Sequence, residues 1–290
     1  MSVSDRFRVP PGRKFRLKDH DPGDTNGMES KKEGKARLEK GVKRLRELQE
    51  KLYAQDCWAL LLIFQAMDAA GKDSTIEHVM SGVNPQGCEV YSFKAPSSEE
   101  LDHDFLWRTS RRVPERGRIG IFNRSYYEEV LVVQVHEAIL LSQRLPASLV
   151  TKQIWQQRYE DINSFERYLS RNGVVIRKFF LNVSKEEQRQ RFLARLEEPE
   201  KNWKFSVNDA KERAHWNEYM EAYEQAIAAT SSDHAPWFVI PADHKWFMRM
   251  AVAEIIVDTM EGMDLKFPEI SEQKRAELQA AKKMLEAEKD

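Results

Sequence analysis

Apolar residues in this chain gather in short unbroken runs separated by stretches of helical period. "WALLLIF" (Trp58 to Phe64) is the strongest run, and a near-continuous apolar segment of that length predicts a strand buried on both faces of a parallel sheet. "CEVYSF" at 88–93, "RIGIF" at 118–122, "VVIRKFFLNV" at 174–183 and "WFVIP" at 237–241 predict four more strands. Between Glu33 and Ala54, Leu38, Val42, Leu45, Leu48 and Leu52 fall on one face of a long basic helix. In "DSTIEHVMSGV", Ile76, Val79, Met80 and Val83 have helical spacing too. Strands alternating with helices predict an α/β domain with a parallel sheet of about five strands, covered on both faces, whose ligands bind outside the carboxyl ends of the strands. Residues 1–30, rich in charge, proline and glycine, are expected to form an extended arm, 31–265 the domain, and 266–290 a polar helix that is solvated or at a contact between subunits.

Composition narrows the function classes. With 290 residues and 41% hydrophobic content the chain can bury a full core. Lys+Arg 46 against Asp+Glu 47 leaves no global basic field, which argues against nucleic acid as a partner. No apolar run approaches the roughly 20 residues that cross a bilayer, and "MSVSDRFRVPPGRK" lacks the apolar core of a signal peptide, so the expectation is a cytoplasmic protein with no membrane partner. Cys57 and Cys88 form no pattern with the seven histidines and read as core thiols.

Three constellations carry candidate chemistry. The first strand runs into "FQAMDAAGKDSTI", a phosphate-binding loop of the form G-x-x-x-x-G-K-[ST] with two letters changed. Gly71 and Lys72 are in place, with Lys72 expected to face solvent. Ala66 replaces the first glycine, Asp73 stands where a magnesium-binding hydroxyl is usual, and Ser74 and Thr75 follow late. A helix leaving the loop would aim its free N–H groups and positive dipole end at the phosphate. Asp68, an acid inside the loop, would repel phosphate unless a cation or an acceptor's proton intervened. The second constellation, "NRSYYEEVLV", sits at the end of the third strand, where a metal-holding aspartate is usual. Asn123 takes that place, Arg124 offers a planar fork for phosphate oxygens, and Glu128 and Glu129 follow; a helix cap and a solvated acidic face are the plainer reading. In the third, "KEEQRQRFLARLEEPEKNWKFS", Arg189, Arg191, Arg195, Lys201 and Lys204 precede or surround a break at Pro199 beside Trp203, which predicts a lid over about 185–210 or an ordinary salt-bridged helix.

Taken together, "DAAGKDSTI", "SGVNPQG", "SFKAPS", "RIGIFNRSYYEEVLV", "EEPEKNWKFS" and "APWFVIPADHKWFMR" resemble, in order, the type 2 polyphosphate kinases, over about residues 55–260. The resemblance implies a P-loop kinase-like three-layer α/β/α fold with a helical lid, transfer of phosphoryl groups from inorganic polyphosphate to AMP and ADP (GMP and GDP as further candidates), magnesium with manganese as the alternative, and a dimeric or tetrameric homo-oligomer. Carried onto this chain it implies catalytic roles for Asp68, Lys72, Arg124 and Glu128. It implies phosphate or polyphosphate binding by Ala70, Gly71, Lys72, Asp73, Ser74, Arg124, Arg191, Lys201 and Lys204. Nucleotide contacts would come from Phe93, Lys94, Pro96, His103 and Asn123, with Phe105 and Trp107 either stacking on the base or packing in the core. Metal would be held by Asp68, Asn123 and Glu128. Asn123 departs from the "FDRS" form common in the family and matches the subgroup that accepts nucleoside monophosphates as well as diphosphates. The competing readings are an ATP-dependent nucleoside monophosphate kinase and a non-catalytic polyanion- or nucleotide-binding protein.

Overall fold

The computed structural model describes residues 2–288, with the Lys204 side chain outside the described residues. Five strands, β1 (Ala59–Gln65), β2 (Cys88–Ser92), β3 (Ile119–Asn123), β4 (Val174–Asn182) and β5 (Trp237–Pro241), form one sheet in the order β2-β3-β1-β4-β5. All four pairings are parallel, and Phe64 of β1 lies opposite Asn123 on one side and Phe179 on the other. As the central strand, β1 is buried at every residue, which is why its sequence reads as an unbroken apolar run.

Seven helices are used below: α1 (Lys31–Gln55), α2 (Lys72–Val79), α3 (Ile154–Arg171), α4 (Lys185–Glu197), α5 (Trp216–Thr230), α6 (Lys245–Glu261) and α7 (Glu272–Ala287). Adjacent residues on a strand point to opposite faces. Arg177 of β4 donates to Thr259 of α6, whereas Lys178 donates to Glu166 of α3 and to the Thr230 carbonyl of α5. Helices α1, α2 and α6 therefore cover one face, and α3 and α5 the other, giving three layers. The α1–α6 contact is close at Gly34, where a Cβ would lie 2.3 Å from the Trp246 ring, and it is fastened by a bidentate Arg37–Glu254 pair.

Two expectations are corrected. The N-terminal segment is not simply an extended arm: Val3–Phe7 is helical, Val3, Phe7, Val9 and Leu17 are buried, and Arg8 bridges Phe238 in antiparallel fashion. Its apolar residues cover the outer edge of β5, which would otherwise expose unpaired backbone groups. Cys57 is exposed, its thiol donating to the Gln55 carbonyl, while Cys88 is half-buried. Helix α7 is capped by Ser271 and buries none of its residues.

Candidate active site

The phosphate loop leaves the carboxyl end of β1 and is folded back on itself. Gly71 has φ +106°, and a Cβ there would meet Met248 at 3.3 Å. Ala69 takes φ +60° without the glycine's freedom, a conformation that costs an L-residue about 1–2 kcal/mol. Arg191 of α4 offsets that strain. Its Nε donates to Glu187 (2.7 Å), Nη1 to the carbonyls of Ala69 (3.1 Å) and Ala70 (2.7 Å), and Nη2 to those of Ala242 (2.6 Å) and Asp243 (3.1 Å). All five guanidinium donors are thus committed. Arg191 therefore braces the loop and the turn after β5.

Lys72 is 9% exposed and does not face solvent; its Nζ lies across the loop, donating to the Ala66 carbonyl at 2.9 Å. Burial and then the Arg124 guanidinium hold its pKa below the ordinary lysine value, against the opposing pull of Asp68, Glu128 and Asp73. The Ser74 and Thr75 hydroxyls both donate back to the Gly71 carbonyl, and the Ala70 N–H closes a turn on Met67.

The strand-end constellation closes on the loop from β3. Arg124 sits at φ +63°, with its N–H on the Phe64 carbonyl at 3.1 Å, so the chain turns sharply and sends the guanidinium to Asp68 (2.9 Å) and toward Glu128 (3.7 Å). Burial disfavours that charge, but Glu128 and Asp68 outweigh it and raise the Arg124 pKa. The two anomalous letters of the sequence prove to be partners: Asn123 Nδ2 donates to Asp73 Oδ1 at 2.5 Å. Where an ordinary P-loop enzyme has a hydroxyl on the loop and a carboxylate on the strand, this chain has the carboxylate on the loop and an amide on the strand. The carboxylate has changed sides without being lost.

Several expected nucleotide contacts are arranged differently. Phe93 is a core residue, edge-on to Phe122 at 4.9 Å. Trp107 already stacks on the His103 ring at 3.9 Å and has the Arg111 guanidinium over its ring at 4.7 Å. Phe105 is half-buried under the Arg158 guanidinium at 4.4 Å. Lys94 and Pro96 are exposed just beyond the sheet, where the Phe93 N–H donates to the Asn123 carbonyl, and Arg108 holds the Lys94 carbonyl at 2.7 Å. In the lid segment, α4 ends at Glu197 and a 3-10 turn, Pro199–Lys204, presents Trp203 at 78% exposure; Lys201 pairs with Glu198.

Three contributors escaped the sequence reading because no motif marks them. Gln65, the last residue of β1, is fully buried and donates to Glu128 at 3.1 Å; its Oε1 has no partner. Gln188 donates to the Asp68 carbonyl (2.8 Å) and accepts from Arg213 (2.6 Å), tying the chain that follows the lid to the loop acid. Beside α4, a cavity of about 730 Å³ opens between α1, α2 and α6, lined by Lys31, Lys35, Lys245, Arg249, His78 and His244. Of its acids, Glu187 is taken by Arg191 and Asp243 by the Ser184 N–H, leaving Glu39. Partial burial, Arg191 and Arg249 together lower the Lys245 pKa, and Arg249 Nε is buried without a partner. Four Lys and Arg side chains thus line the cavity with three carboxylates, and Glu77 also acts on Arg249.

Among the described residues no three His, Cys, Asp or Glu side chains converge closely enough to form a metal cage. Asp68, Asp73 and Glu128 instead surround Lys72 and Arg124 as separate oxygen donors. That donor set fits a hard cation held by one or two carboxylates, water and a substrate's phosphates, the usual manner of magnesium.

Residues 28–268 match the family described as Polyphosphate kinase 2 (PPK2). The chain is similar to an ADP-polyphosphate phosphotransferase of Rhodopseudomonas palustris, 53% identical over 274 residues, which cover 94% of this chain and 95% of the relative. It is similar also to an AMP/ADP-polyphosphate phosphotransferase of Meiothermus ruber, 47% identical over 267 residues, covering 91% and 95%. The crystal structure of polyphosphate kinase 2 from Arthrobacter aurescens TC1 matches with a TM-score of 0.89 at 42% identity, over 98% of this chain and 97% of that one. Among the described residues no helix is long and apolar enough to cross a membrane.

Proposed function

The chain belongs to the polyphosphate kinase 2 family, and on that premise we propose that it transfers the terminal phosphoryl group of inorganic polyphosphate, reversibly, to ADP and AMP in one magnesium-dependent site. The observation that carries this reading is the cation-lined cavity adjoining a braced phosphate loop. A donor chain with a charge at every phosphate would meet Lys31, Lys35, Lys245 and Arg249 together there. Arg191 links the two, donating to the Ala70 carbonyl of the loop and to the carbonyl of Asp243, which lines the cavity.

The chemistry asked of the protein is alignment and charge neutralisation. A phosphate acceptor is already ionised near neutral pH, so no strong general base is required. Lys72, released from the Ala66 carbonyl, and Arg124 neutralise charge on the transferred group. Asp68, Asp73 and Glu128 would hold magnesium, which when bound neutralises phosphate oxygens and fixes their direction. Asn123, in this reading, orients Asp73 and does not ligate metal through its donated amide. Acceptance of both AMP and ADP requires their reacting oxygens to reach one point although they differ by a phosphate, so the base must be held loosely. The burial of Phe93 and the stacking of Trp107 on His103 support that looseness, because both rings are already engaged within the protein. A cytoplasmic homo-oligomer completes the proposal, with exposed Leu278 and Leu285 on α7 supporting contact between copies.

The test is donor replacement: purified protein with magnesium, ADP and polyphosphate, with no ATP added. ATP should form in proportion to polyphosphate consumed. Absence of product with polyphosphate, together with activity on AMP when ATP is the donor, would replace this reading by an ATP-dependent monophosphate kinase.

A further inference from the structure

A second polar constellation lies beneath the site and belongs to none of the roles above. Lys178 of β4 and Glu166 of α3 are both fully buried, with Nζ and Oε2 2.6 Å apart. The remaining Lys178 donors go to Tyr127 Oη (2.9 Å) and the Thr230 carbonyl (2.7 Å). The other carboxylate oxygen, Oε1, accepts from Tyr126 (2.9 Å) and Tyr127 (2.8 Å). Burial and the Glu166 charge raise both phenol pKa values far above neutrality, so both remain donors. A buried ion pair is seldom more stabilising than apolar side chains of the same volume. Stability alone is therefore a weak reason for this one.

What the pair grips is more informative. Tyr126 and Tyr127 open the 3-10 turn Tyr126–Val130, which itself carries Glu128 and begins two residues after Arg124. Neighbouring side chains on such a turn diverge by about 120°, yet these two hydroxyls meet on a single oxygen. Only one rotation of the turn about its axis allows that. The same rotation directs Glu128 and, through buried Ser125, whose hydroxyl accepts from the Tyr127 N–H, sets the strained Arg124 backbone. We propose that the Glu166–Lys178 pair, acting through Tyr126 and Tyr127, is the positioning device for Arg124 and Glu128. The four residues touch no substrate; their effect is on where two others stand. This rests on the reading of Arg124 and Glu128 given above.

The test uses the full chain carrying Tyr126→Phe with Tyr127→Phe, which keeps both rings and removes both donors. Tyr126→Phe alone is the milder variant and leaves Lys178 fully bonded. Each is assayed with polyphosphate and ADP well below its own melting temperature, beside Glu128→Gln. Misplacement of reacting groups by about 1 Å can cost on the order of 100-fold in rate. The double variant should accordingly lose about 10- to 100-fold in kcat, and the single variant less, with both KM values within about twofold of the parent. A lowered melting temperature with unchanged kcat, or a loss carried by KM alone, would show a purely structural network and overturn the proposal. If Glu128→Gln is fully active, the site reading fails and the proposal with it; if Glu128→Gln is inactive while the tyrosine variants keep full kcat, the proposal fails alone.

Discussion

The phosphate loop and the lid segment are both cationic regions at the carboxyl end of one sheet, and they are built in opposite ways. Around the loop the polar groups are answered: Arg191 gives two donors to the Ala69 and Ala70 carbonyls and three to Glu187 and the turn after β5, Lys72 bonds the Ala66 carbonyl, and Gln188 holds the Asp68 carbonyl. From Pro199 onward the lid is a single 3-10 turn followed by the short helix Val207–Glu212, with Trp203 and Val207 exposed. The first region is bonded to distant segments of the chain, and the second chiefly to its own neighbours, as Asn202 is to the Arg195 and Leu196 carbonyls and Lys201 to Glu198. Preorganised charge lowers a barrier because nothing reorganises during reaction, whereas mobile cations can follow a polyanion of any length and shut out water. The division implies that loop changes strike kcat and lid changes strike donor affinity.

Breaking the loop should have the largest effect. Lys72→Ala should lower kcat by about 1,000-fold or more, equivalent to at least ~4 kcal/mol of transition-state stabilisation. Circular dichroism and melting should show a folded protein. Near-normal turnover in that folded variant would remove Lys72 from the chemistry. Arg191→Lys comes next: an ammonium has three donors against five and no fork, so the loop relaxes. A fall of roughly 100-fold in kcat, with a melting temperature several degrees lower, is expected from misplaced phosphates. If only the donor KM moved, Arg191 would be the lid cation first expected and not a brace.

Asn123→Asp sharpens the comparison from the strand side. It sets two carboxylates where Nδ2 and Oδ1 now lie 2.5 Å apart, so one must protonate, move or share a cation. The expected outcome is a loss of about 10-fold in kcat, restored in part by raised magnesium. Independence from magnesium concentration would mean that the Asn123–Asp73 pair is remote from the metal. The pH dependence of donor binding should follow Lys72. Its pKa lies below the ordinary value in the free protein, and a bound polyanion favours the charged form and raises it. Binding above the free-protein pKa therefore takes up a proton, and polyphosphate affinity falls as pH rises through that window. The smallest effect belongs to Lys201→Ala with Lys204→Ala. A few-fold rise in the polyphosphate KM, with a shallower salt dependence and unchanged kcat, is expected when two of the several cations that an extended polyanion meets are removed.

The sheet was legible because parallel strands buried on both faces must be apolar throughout, and Ala59–Gln65 and Trp237–Pro241 have no other reading. The loop was legible from Gly71 and Lys72, whose backbone and charge requirements tolerate few substitutes. Less visible was everything that depends on two distant segments meeting. Asp73 and Asn123 each looked like a defect until the parallel register of β1 and β3 brought them together. Arg191 looked like one cation among several on a salt-bridged helix, since nothing in "EEQRQRF" tells which arginine turns inward. Phe93 and Trp107 carry the same aromatic letters whether they bind a base, pack in a core or stack on one another. Only the environment separates those cases. The arm's Val3, Phe7 and Val9 were outweighed by their charged neighbours, and the open edge of β5 that they cover cannot be seen before the strand order is known.

In the proposed function, one braced site serves two acceptors from a polyphosphate donor. A time course starting from AMP alone, with polyphosphate and magnesium, no ATP, and a preparation free of adenylate kinase, tests this most directly. ADP should rise first and ATP later, both halted by Lys72→Ala. Consumption of supplied ADP with AMP left untouched would contradict the claim that one loosely held nucleotide site accepts both.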